Sequence, residues 1–165
     1  RVEVRIVSSH LPRPIAYVYK RELNWVPFFG WAIAQLDMVH IDRKQGRAAF
    51  RKVTEEGGRI MAAGISVAMF PEGTRIPRGQ QGTYKTGASR LAITTGTPIV
   101  PIAVTSARCW PRKSFLLRPG LVEISIGKPI DSTGRQPDEL MREVEAWIEA
   151  EMRRLDPDAY PAGAP

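Results

Sequence analysis

Six consecutive residues, Phe70-Pro71-Glu72-Gly73-Thr74-Arg75, place several groups that can bind a phosphate-bearing molecule within one short segment. Arg75 can hold a phosphate through two parallel charge-assisted hydrogen bonds. Gly73 lets the backbone approach a ligand closely, and Glu72 can accept a hydrogen bond from a substrate hydroxyl or orient Arg75. A solvated turn with a surface salt bridge has the same composition, so these residues alone leave both interpretations open.

The elements around this segment alternate between strands and helices. The β-rich runs predict strands at Ile15 to Tyr19, Met38 to Asp42, Ser66 to Phe70, Ile99 to Val104 and Leu121 to Gly127. Helical spacing predicts helices from Phe50 to Met61, from Lys85 to Thr95 and from Pro137 to Leu155, with Gly64, Gly96 and Asp156 as their stops. This alternation predicts a single α/β domain with a central, mostly parallel sheet flanked by helices. Its binding crevice should lie beyond the carboxyl ends of the strands, where Phe70 leads into the hexapeptide.

Composition narrows the class of protein. A chain of 165 residues with 43% hydrophobic residues fits one globular domain and excludes fibrous and disordered classes. The net charge of +7 favours an anionic partner: a phospholipid headgroup, a nucleic acid or a phosphorylated small molecule. Cys109 is the single cysteine, so no intrachain disulfide can form. The longest apolar run, Val26 to Leu36, is too short to span a bilayer, and we expect neither a transmembrane helix nor a signal peptide in this chain.

Four blocks in order resemble the motifs of the lysophosphatidate acyltransferases, which acylate 1-acylglycerol 3-phosphate. The hexapeptide Phe70–Arg75 is the third motif of that family as it is usually written. The other three blocks are Lys20–Leu23 followed by Val26–Trp31, then Leu36–Arg43 with the ending Ile-Asp-Arg of the second motif, and Thr97–Val104 as the proline-punctuated fourth motif. Four ordered motifs are far more specific than any one of them.

The resemblance implies where the substrate would bind. It covers roughly residues 12–155, so we expect an atypical N-terminal segment at 1–11, an acyltransferase-like domain at 12–155 and a flexible tail at 156–165. By analogy with the family, Lys20, Arg43 and Arg75 would hold the substrate phosphate. Glu72, Gly73 and Thr74 would then shape the glycerol site.

The resemblance also implies a reaction and a location. A fatty acyl group would pass from acyl-CoA or acyl carrier protein to 1-acylglycerol 3-phosphate to give phosphatidate, with no metal or organic cofactor. The protein would work at the cytoplasmic face of the membrane as a peripheral protein. The segment Trp25–Trp31 is a candidate for contact with the membrane interface, and ordinary core packing is the alternative for its aromatic residues.

One expected motif is missing. The family's first motif is a histidine followed five positions later by an aspartate, in which the histidine takes the proton from the attacking hydroxyl. Here His10 is followed at that distance by Ile15, and His40 by Gln45, so the catalytic residues stay unknown. A truncated chain, a late or shifted reading frame and a divergent non-catalytic member would each explain this. Because loss of a general base typically costs about 10²–10⁴ in rate, we expect this chain by itself to be nearly inactive.

Several other functions fit part of the pattern. The same loop could serve a glycerol-3-phosphate acyltransferase or an acyltransferase for another lysolipid. A non-catalytic module that binds anionic lipid would also use a basic pocket. Nucleic-acid binding has only the net charge in its favour, because the sequence has no recognised nucleic-acid motif and no basic-aromatic interleaving, so we expect no nucleic-acid partner.

Overall fold

In the computed structural model, the described residues are 2–6, 14–20, 25, 31, 39–41 and 47–160. For residues 2–6, 20, 39–41 and 47–50 only the backbone is described. The strands are β1 (Val2–Ile6), β2 (Ile15–Lys20), β3 (Val39–Ile41), β4 (Ser66–Ala68), β5 (Ile102–Val104) and β6 (Gly120–Ile126). The helices are α1 (Arg47–Ala62), α2 (Gly87–Thr95) and α3 (Pro137–Leu155), with 3₁₀ turns at Ser106–Arg108 and Pro157–Ala159.

The described strands form two three-stranded groups. One has the order β3-β2-β4 and is parallel throughout, with Tyr17 opposite Ala68 and Lys20 opposite Ile41. The other has the order β1-β6-β5, in which β1 runs parallel to β6 and β5 runs antiparallel to it. The predicted α/β class with a mostly parallel sheet is confirmed. The antiparallel pair was not predicted, and it fits the connection from β5 to β6, which contains no crossover helix of the kind that parallel neighbours need.

Strand β1 is an element that the sequence analysis did not predict. Its residues Val2 to Ile6 alternate apolar and charged side chains, a pattern typical of a strand. They pair in register with β6, where Val4 lies opposite Val122. The segment predicted as atypical therefore supplies a strand to the sheet, while the division of the chain at residue 12 stays a prediction.

The three predicted helices are confirmed, with small shifts at their ends. Helix α1 is followed by Gly64, whose φ of 83° lies in the left-handed region that glycine adopts freely. Helix α2 ends at Gly96, whose N–H donates to the carbonyls of Ala92 and Ile93 as a left-handed cap. Helix α3 begins at Pro137 and ends at Leu155, as predicted.

A small core fixes the strand that leads into the hexapeptide. Ala16 of β2, Val53 and Ile60 of α1 and Leu91 of α2 are buried together. Val67 and Met69, on either side of the end of β4, pack against this cluster. Burial of these apolar side chains therefore sets the direction in which the chain leaves β4.

The chain beyond α3 returns to the body of the domain. Asp156 is 1% exposed and forms ion pairs with Arg78 and Arg108. The Nη2 atom of Arg108 that contacts Asp156 also donates to the Leu155 carbonyl. Tyr160 contacts the Arg153 guanidinium at 5.2 Å from the ring centroid. Asp156 and Tyr160 of the predicted tail thus contact the domain, residues 161–165 lie outside the described residues, and the division at 155 stays a prediction.

Candidate functional site

The carboxyl ends of three parallel strands bring the predicted site segments to one edge of the sheet. The hexapeptide begins two residues after the end of β4, and β2 ends beside it at Lys20. Strand β3 ends at Ile41, two residues before Arg43. The backbone thus directs all three segments to the same edge, which is where open α/β sheets bind ligands. Arg43 lies outside the described residues, and so does the side chain of Lys20.

The hexapeptide opens with a tight turn. The N–H of Gly73 donates to the carbonyl of Phe70 at 3.0 Å, and Gly73 has a φ of 68°. A side chain at this position would strain the backbone, so the turn requires glycine. The N–H of Lys85 donates to the carbonyl of Pro71 at 3.0 Å and closes the segment 71–85. We call residues 71–85 the site loop.

Glu72 lies half-buried on the inner side of the site loop. Burial raises the pKa of its carboxyl, a hydrogen bond from Tyr84 opposes that shift, and the nearby Glu149 carboxylate adds to it. The Tyr84 hydroxyl donates to Glu149 at 3.0 Å. Burial and the two carboxylates raise the pKa of Tyr84 as well, so its hydroxyl stays a hydrogen-bond donor. Glu72 therefore lies beside the Tyr84 hydroxyl, with its carboxylate as a potential acceptor for a ligand hydroxyl.

Arg75 is exposed at the outer side of the site loop. Its guanidinium lies over the indole of Trp110, 3.9 Å from the ring centroid. No carboxylate of the described residues forms a salt bridge with Arg75. Stacking on an aromatic face leaves the in-plane N–H groups of a guanidinium free to donate. Arg75 is consequently held in one orientation while its donors remain available to an anion.

Side chains from distant parts of the chain hold the site loop against α3. Arg78 donates to both carboxylate oxygens of Asp156, at 2.8 Å and 2.7 Å. Gln81 donates to Glu145 at 2.7 Å. With the Tyr84–Glu149 bond and a longer one from Arg153 to Gln81 at 3.5 Å, side chains at four places fix the loop to the helix and its end.

The structure describes the side chains of some predicted site residues and not of others. Glu72, Gly73, Thr74 and Arg75 share the site loop, with Thr74 exposed. Tyr84, Trp110 and Glu149 also shape the site, and the sequence analysis missed them because their partners are far away along the chain. Neither histidine side chain is described, since His10 lies outside the described residues and only the backbone of His40 is given.

The described side chains offer binding groups: a guanidinium for an anion and a carboxylate for a hydroxyl. No cluster of three or more His, Cys, Asp or Glu that could hold a metal ion occurs among them. Within the described part of the chain, no helix combines the length and apolarity needed to cross a bilayer. These groups can therefore bind a phosphorylated alcohol. The described side chains do not identify the group that would accept its proton.

Comparison with known proteins places this site in a family. The model of the family described as Acyltransferase matches residues 4–105, more than half of the chain. The 1-acyl-sn-glycerol-3-phosphate acyltransferase of Pseudomonas aeruginosa is 39% identical over 147 residues, which are 87% of this chain and 57% of that protein. The protein of the same name from Cocos nucifera is 27% identical, over 87% of this chain and 47% of its own length. The alpha form from Mus musculus is 30% identical, over 79% of this chain and 46% of its own length.

The fold has a counterpart among solved structures. The crystal structure of the 1-acyl-sn-glycerophosphate (LPA) acyltransferase PlsC from Thermotoga maritima matches with a TM-score of 0.77 and 24% identity, over 93% of this chain and 72% of that one. The present chain spans about half the length of the curated relatives that it matches. The family model covers β2 to β5, with the site loop, α1 and α2 between them. The chain therefore belongs to the acyltransferase family that includes the 1-acyl-sn-glycerol-3-phosphate acyltransferases.

Proposed function

We propose that this chain serves the transfer of a fatty acyl group from an acyl thioester to 1-acylglycerol 3-phosphate, with phosphatidate as the product. The observation that carries the proposal is Arg75, exposed and without a carboxylate partner among the described residues, next to the half-buried Glu72 on one loop. The names of the relatives supply the substrate class. The acyl donor is acyl-CoA or acyl carrier protein, both of which present the acyl group as a thioester.

The reaction needs a bound alcohol and a proton acceptor. The free hydroxyl oxygen of the lysophosphatidate attacks the thioester carbonyl, a carbon–oxygen bond forms, the carbon–sulfur bond breaks, and the thiolate leaves. The hydroxyl proton passes to a base and then to the leaving thiolate. In this proposal Arg75 binds the phosphate, with Lys20 and Arg43 as further cations. Gly73 and Thr74 shape the glycerol site, in which Glu72 accepts from a glycerol hydroxyl.

The base is not assigned to any residue of this chain. Neither His10 nor His40 is followed by aspartate at the spacing that the family uses. The site loop therefore supplies the groups for binding, whereas no residue of this chain is assigned to proton transfer. The missing histidine and aspartate spacing also favours one alternative, a non-catalytic module that binds anionic lipid.

Binding can be tested directly on Arg75. Isothermal titration with a short-chain, water-soluble lysophosphatidate would give the affinity of the chain and of Arg75→Ala. Loss of charge-assisted hydrogen bonds to phosphate should weaken binding about tenfold to a hundredfold. Arg75→Lys should fall between the two, because it keeps the charge and loses the bidentate geometry.

Arg142→Ala is the matched control, because this exposed arginine of α3 removes the same charge at a different place. It should leave the affinity within about twofold, a difference below about half a kcal/mol. Equal binding by the chain, Arg75→Ala and Arg142→Ala would contradict the assignment of the phosphate to Arg75. Trp110 offers a second readout, since a ligand on Arg75 should change its fluorescence and the change should vanish in Trp110→Phe.

An assay of acyl transfer distinguishes an enzyme from a non-catalytic binding module. The chain is incubated with lysophosphatidate and with acyl-CoA or acyl carrier protein in turn, and phosphatidate is measured. We expect lysophosphatidate to be bound, with transfer about 10²–10⁴ slower than in a relative that has the histidine and aspartate. Transfer as fast as in such a relative would contradict the absence of the base. A substrate panel with glycerol 3-phosphate and other lysolipids tests the alternative acyltransferases.

A further inference from the structure

A loop next to the site exposes three consecutive large apolar side chains. It runs from Cys109 to Arg118, and we call it the apolar loop. Phe115 is 102% exposed, Leu116 78% and Leu117 63%. Single exposed apolar residues are common on protein surfaces, but a run of three at the tip of one loop indicates contact with another molecule or phase.

The loop is held in shape by its own hydrogen bonds. The N–H of Arg118 donates to the Cys109 carbonyl at 2.8 Å, which closes the loop at its base. The indole N–H of Trp110 donates to the Ser114 carbonyl at 2.8 Å, and the Ser114 hydroxyl donates to the Leu116 carbonyl at 3.0 Å. The Leu116 N–H donates to the Ser114 hydroxyl at 3.1 Å. Several backbone groups are thus paired within the loop, which lowers the cost of moving the tip into an apolar medium.

Cations surround the apolar tip. Arg112, Lys113 and Arg118 are exposed, and no carboxylate of the described residues forms a salt bridge with them. They line a basic cleft of about 490 Å³ together with Arg78 and Arg108. The latter two are paired with Asp156, so three cations of the cleft remain for an external anion.

We propose that the apolar loop docks the protein on an anionic lipid bilayer. Phe115, Leu116 and Leu117 enter the boundary between headgroups and acyl chains, while Arg112, Lys113 and Arg118 contact lipid phosphates. A nucleic acid would complement the cations but not the three apolar side chains. A bilayer with anionic headgroups complements both, with the phosphates directly above the apolar region.

The position of the loop connects docking to the site. Trp110 at the base of the loop supports the Arg75 guanidinium at 3.9 Å. A bilayer that receives Phe115 therefore brings its headgroups to the side of the domain on which Arg75 is exposed. This link rests on the proposed function of Arg75, whereas the docking surface itself does not.

Vesicle sedimentation tests the proposal. The chain is mixed with vesicles of phosphatidylcholine alone and with vesicles that also contain phosphatidylglycerol. We expect binding to the anionic vesicles. The double substitution Phe115→Ser and Leu116→Ser should weaken it about tenfold or more, because two side chains lose their burial in lipid. The double substitution Arg112→Ala and Lys113→Ala should weaken it by a similar factor, because two cations no longer face the anionic surface.

The matched control is Lys128→Ala with Arg142→Ala. Both residues are exposed, Lys128 follows the opposite end of β6, and the pair removes the same charge as the loop variant. The control should keep most of the binding. Three outcomes would overturn the proposal: no binding by the chain, unchanged binding by both loop variants, or an equal loss in the control. If Phe115→Ser with Leu116→Ser instead dissociates a dimer of this chain and leaves vesicle binding unchanged, the loop contacts a second copy of the chain and the docking proposal is wrong.

The experiment is separable from the test of Arg75. Binding of soluble lysophosphatidate does not need the bilayer, so it should survive Phe115→Ser with Leu116→Ser. If vesicle binding depends on the loop and Arg75→Ala binds lysophosphatidate unchanged, the docking surface is supported and the proposed function is contradicted. If vesicle binding does not depend on the loop and Arg75→Ala binds lysophosphatidate more weakly, the proposed function is supported and the docking surface is contradicted.

Discussion

The site loop and the apolar loop meet where Arg75 stacks on Trp110, yet they are held by different partners. Side chains of the site loop bond to α3 and to the residue after it, as Arg78 does with Asp156 and Tyr84 with Glu149. The bonds that shape the tip of the apolar loop, such as Trp110 to Ser114, stay within the loop, and only its base bonds outward, where the N–H groups of Cys109 and Trp110 donate to the Ser106 carbonyl. The first pattern fixes a loop relative to the domain. The second fixes only the shape of a loop and leaves its tip available to a different environment.

This difference predicts that stability should be sensitive to the distant contacts of the site loop and insensitive to the tip of the apolar loop. The largest effect should come from Asp156→Asn. Asp156 is 1% exposed and receives two hydrogen bonds from Arg78 and an ion pair from Arg108. Its removal should lower the free energy of unfolding by about 2–3 kcal/mol, as for charged hydrogen bonds at a buried group. Urea unfolding at neutral pH measures this.

The control for that variant is Asp158→Asn, an exposed residue two positions further along. It should change the free energy of unfolding by less than about 0.5 kcal/mol. If both variants are equally stable, the ion pairs of Asp156 do not hold the site loop.

Asp156 should also give the stability an acid dependence. The hydrogen bonds from Arg78 first, and then Arg108, hold the pKa of Asp156 below its ordinary value, with burial opposing them. A carboxyl with a lowered folded-state pKa stabilises the fold above its ordinary pKa and loses that contribution as the pH falls through the lowered one. Urea midpoints taken from about pH 5 down to about pH 2 should therefore fall more steeply for the chain than for Asp156→Asn. Parallel curves would contradict this.

An intermediate effect should come from Tyr84→Phe. The substitution removes the hydrogen bond to Glu149, which is 7% exposed and then keeps the bond from Arg153 at 3.3 Å. The expected loss is about 1–2 kcal/mol of unfolding free energy. Because the Tyr84 hydroxyl lowers the pKa of Glu72, its removal should also raise that pKa further. Carbon-13 NMR titration of the Glu72 carboxyl checks the direction, and a fall in its pKa would show that the Tyr84 hydroxyl does not stabilise the Glu72 carboxylate.

The smallest effect on stability should come from Phe115→Ser with Leu116→Ser. Both side chains are almost fully exposed, so the folded protein loses little packing. The unfolding free energy should stay within about 0.5 kcal/mol of the parent chain. A loss as large as that of Tyr84→Phe would mean that the tip packs against the domain in solution, and the two loops would then not differ in the way described above.

Much of the fold was predictable because it depends on local patterns. The apolar stripe and end signals of Pro137–Leu155 predicted α3 to the residue. Gly64 and Gly96 marked helix ends because both adopt a positive φ. The strand Val2–Ile6 was missed although its alternation was visible, since five residues gain their stability only by pairing with β6, more than a hundred residues later.

The candidate site divides in the same way. The motif Phe70–Arg75 and its place after a strand were predictable from the sequence, since a glycine turn and a charged end follow from neighbouring residues. The contacts of Glu72 with Tyr84 and of Arg75 with Trp110 were not, because no local pattern signals which aromatic residue the fold brings near. The assignments of Lys20 and Arg43 stay predictions, as do their roles with Glu72, Gly73, Thr74 and Arg75 in substrate binding.

The sequence by itself determined the family and the order of the elements from β2 to α3, and it predicted which residues would bind a phosphorylated alcohol. It also showed that the histidine and aspartate spacing of the family is missing from these 165 residues. Only the tertiary structure decided that Arg75 would rest on Trp110 at the base of an exposed apolar loop, and that Asp156 would hold Arg78. The physical reason is distance along the chain: these contacts join residues separated by 35 and 78 positions, and only the packed core brings such residues together.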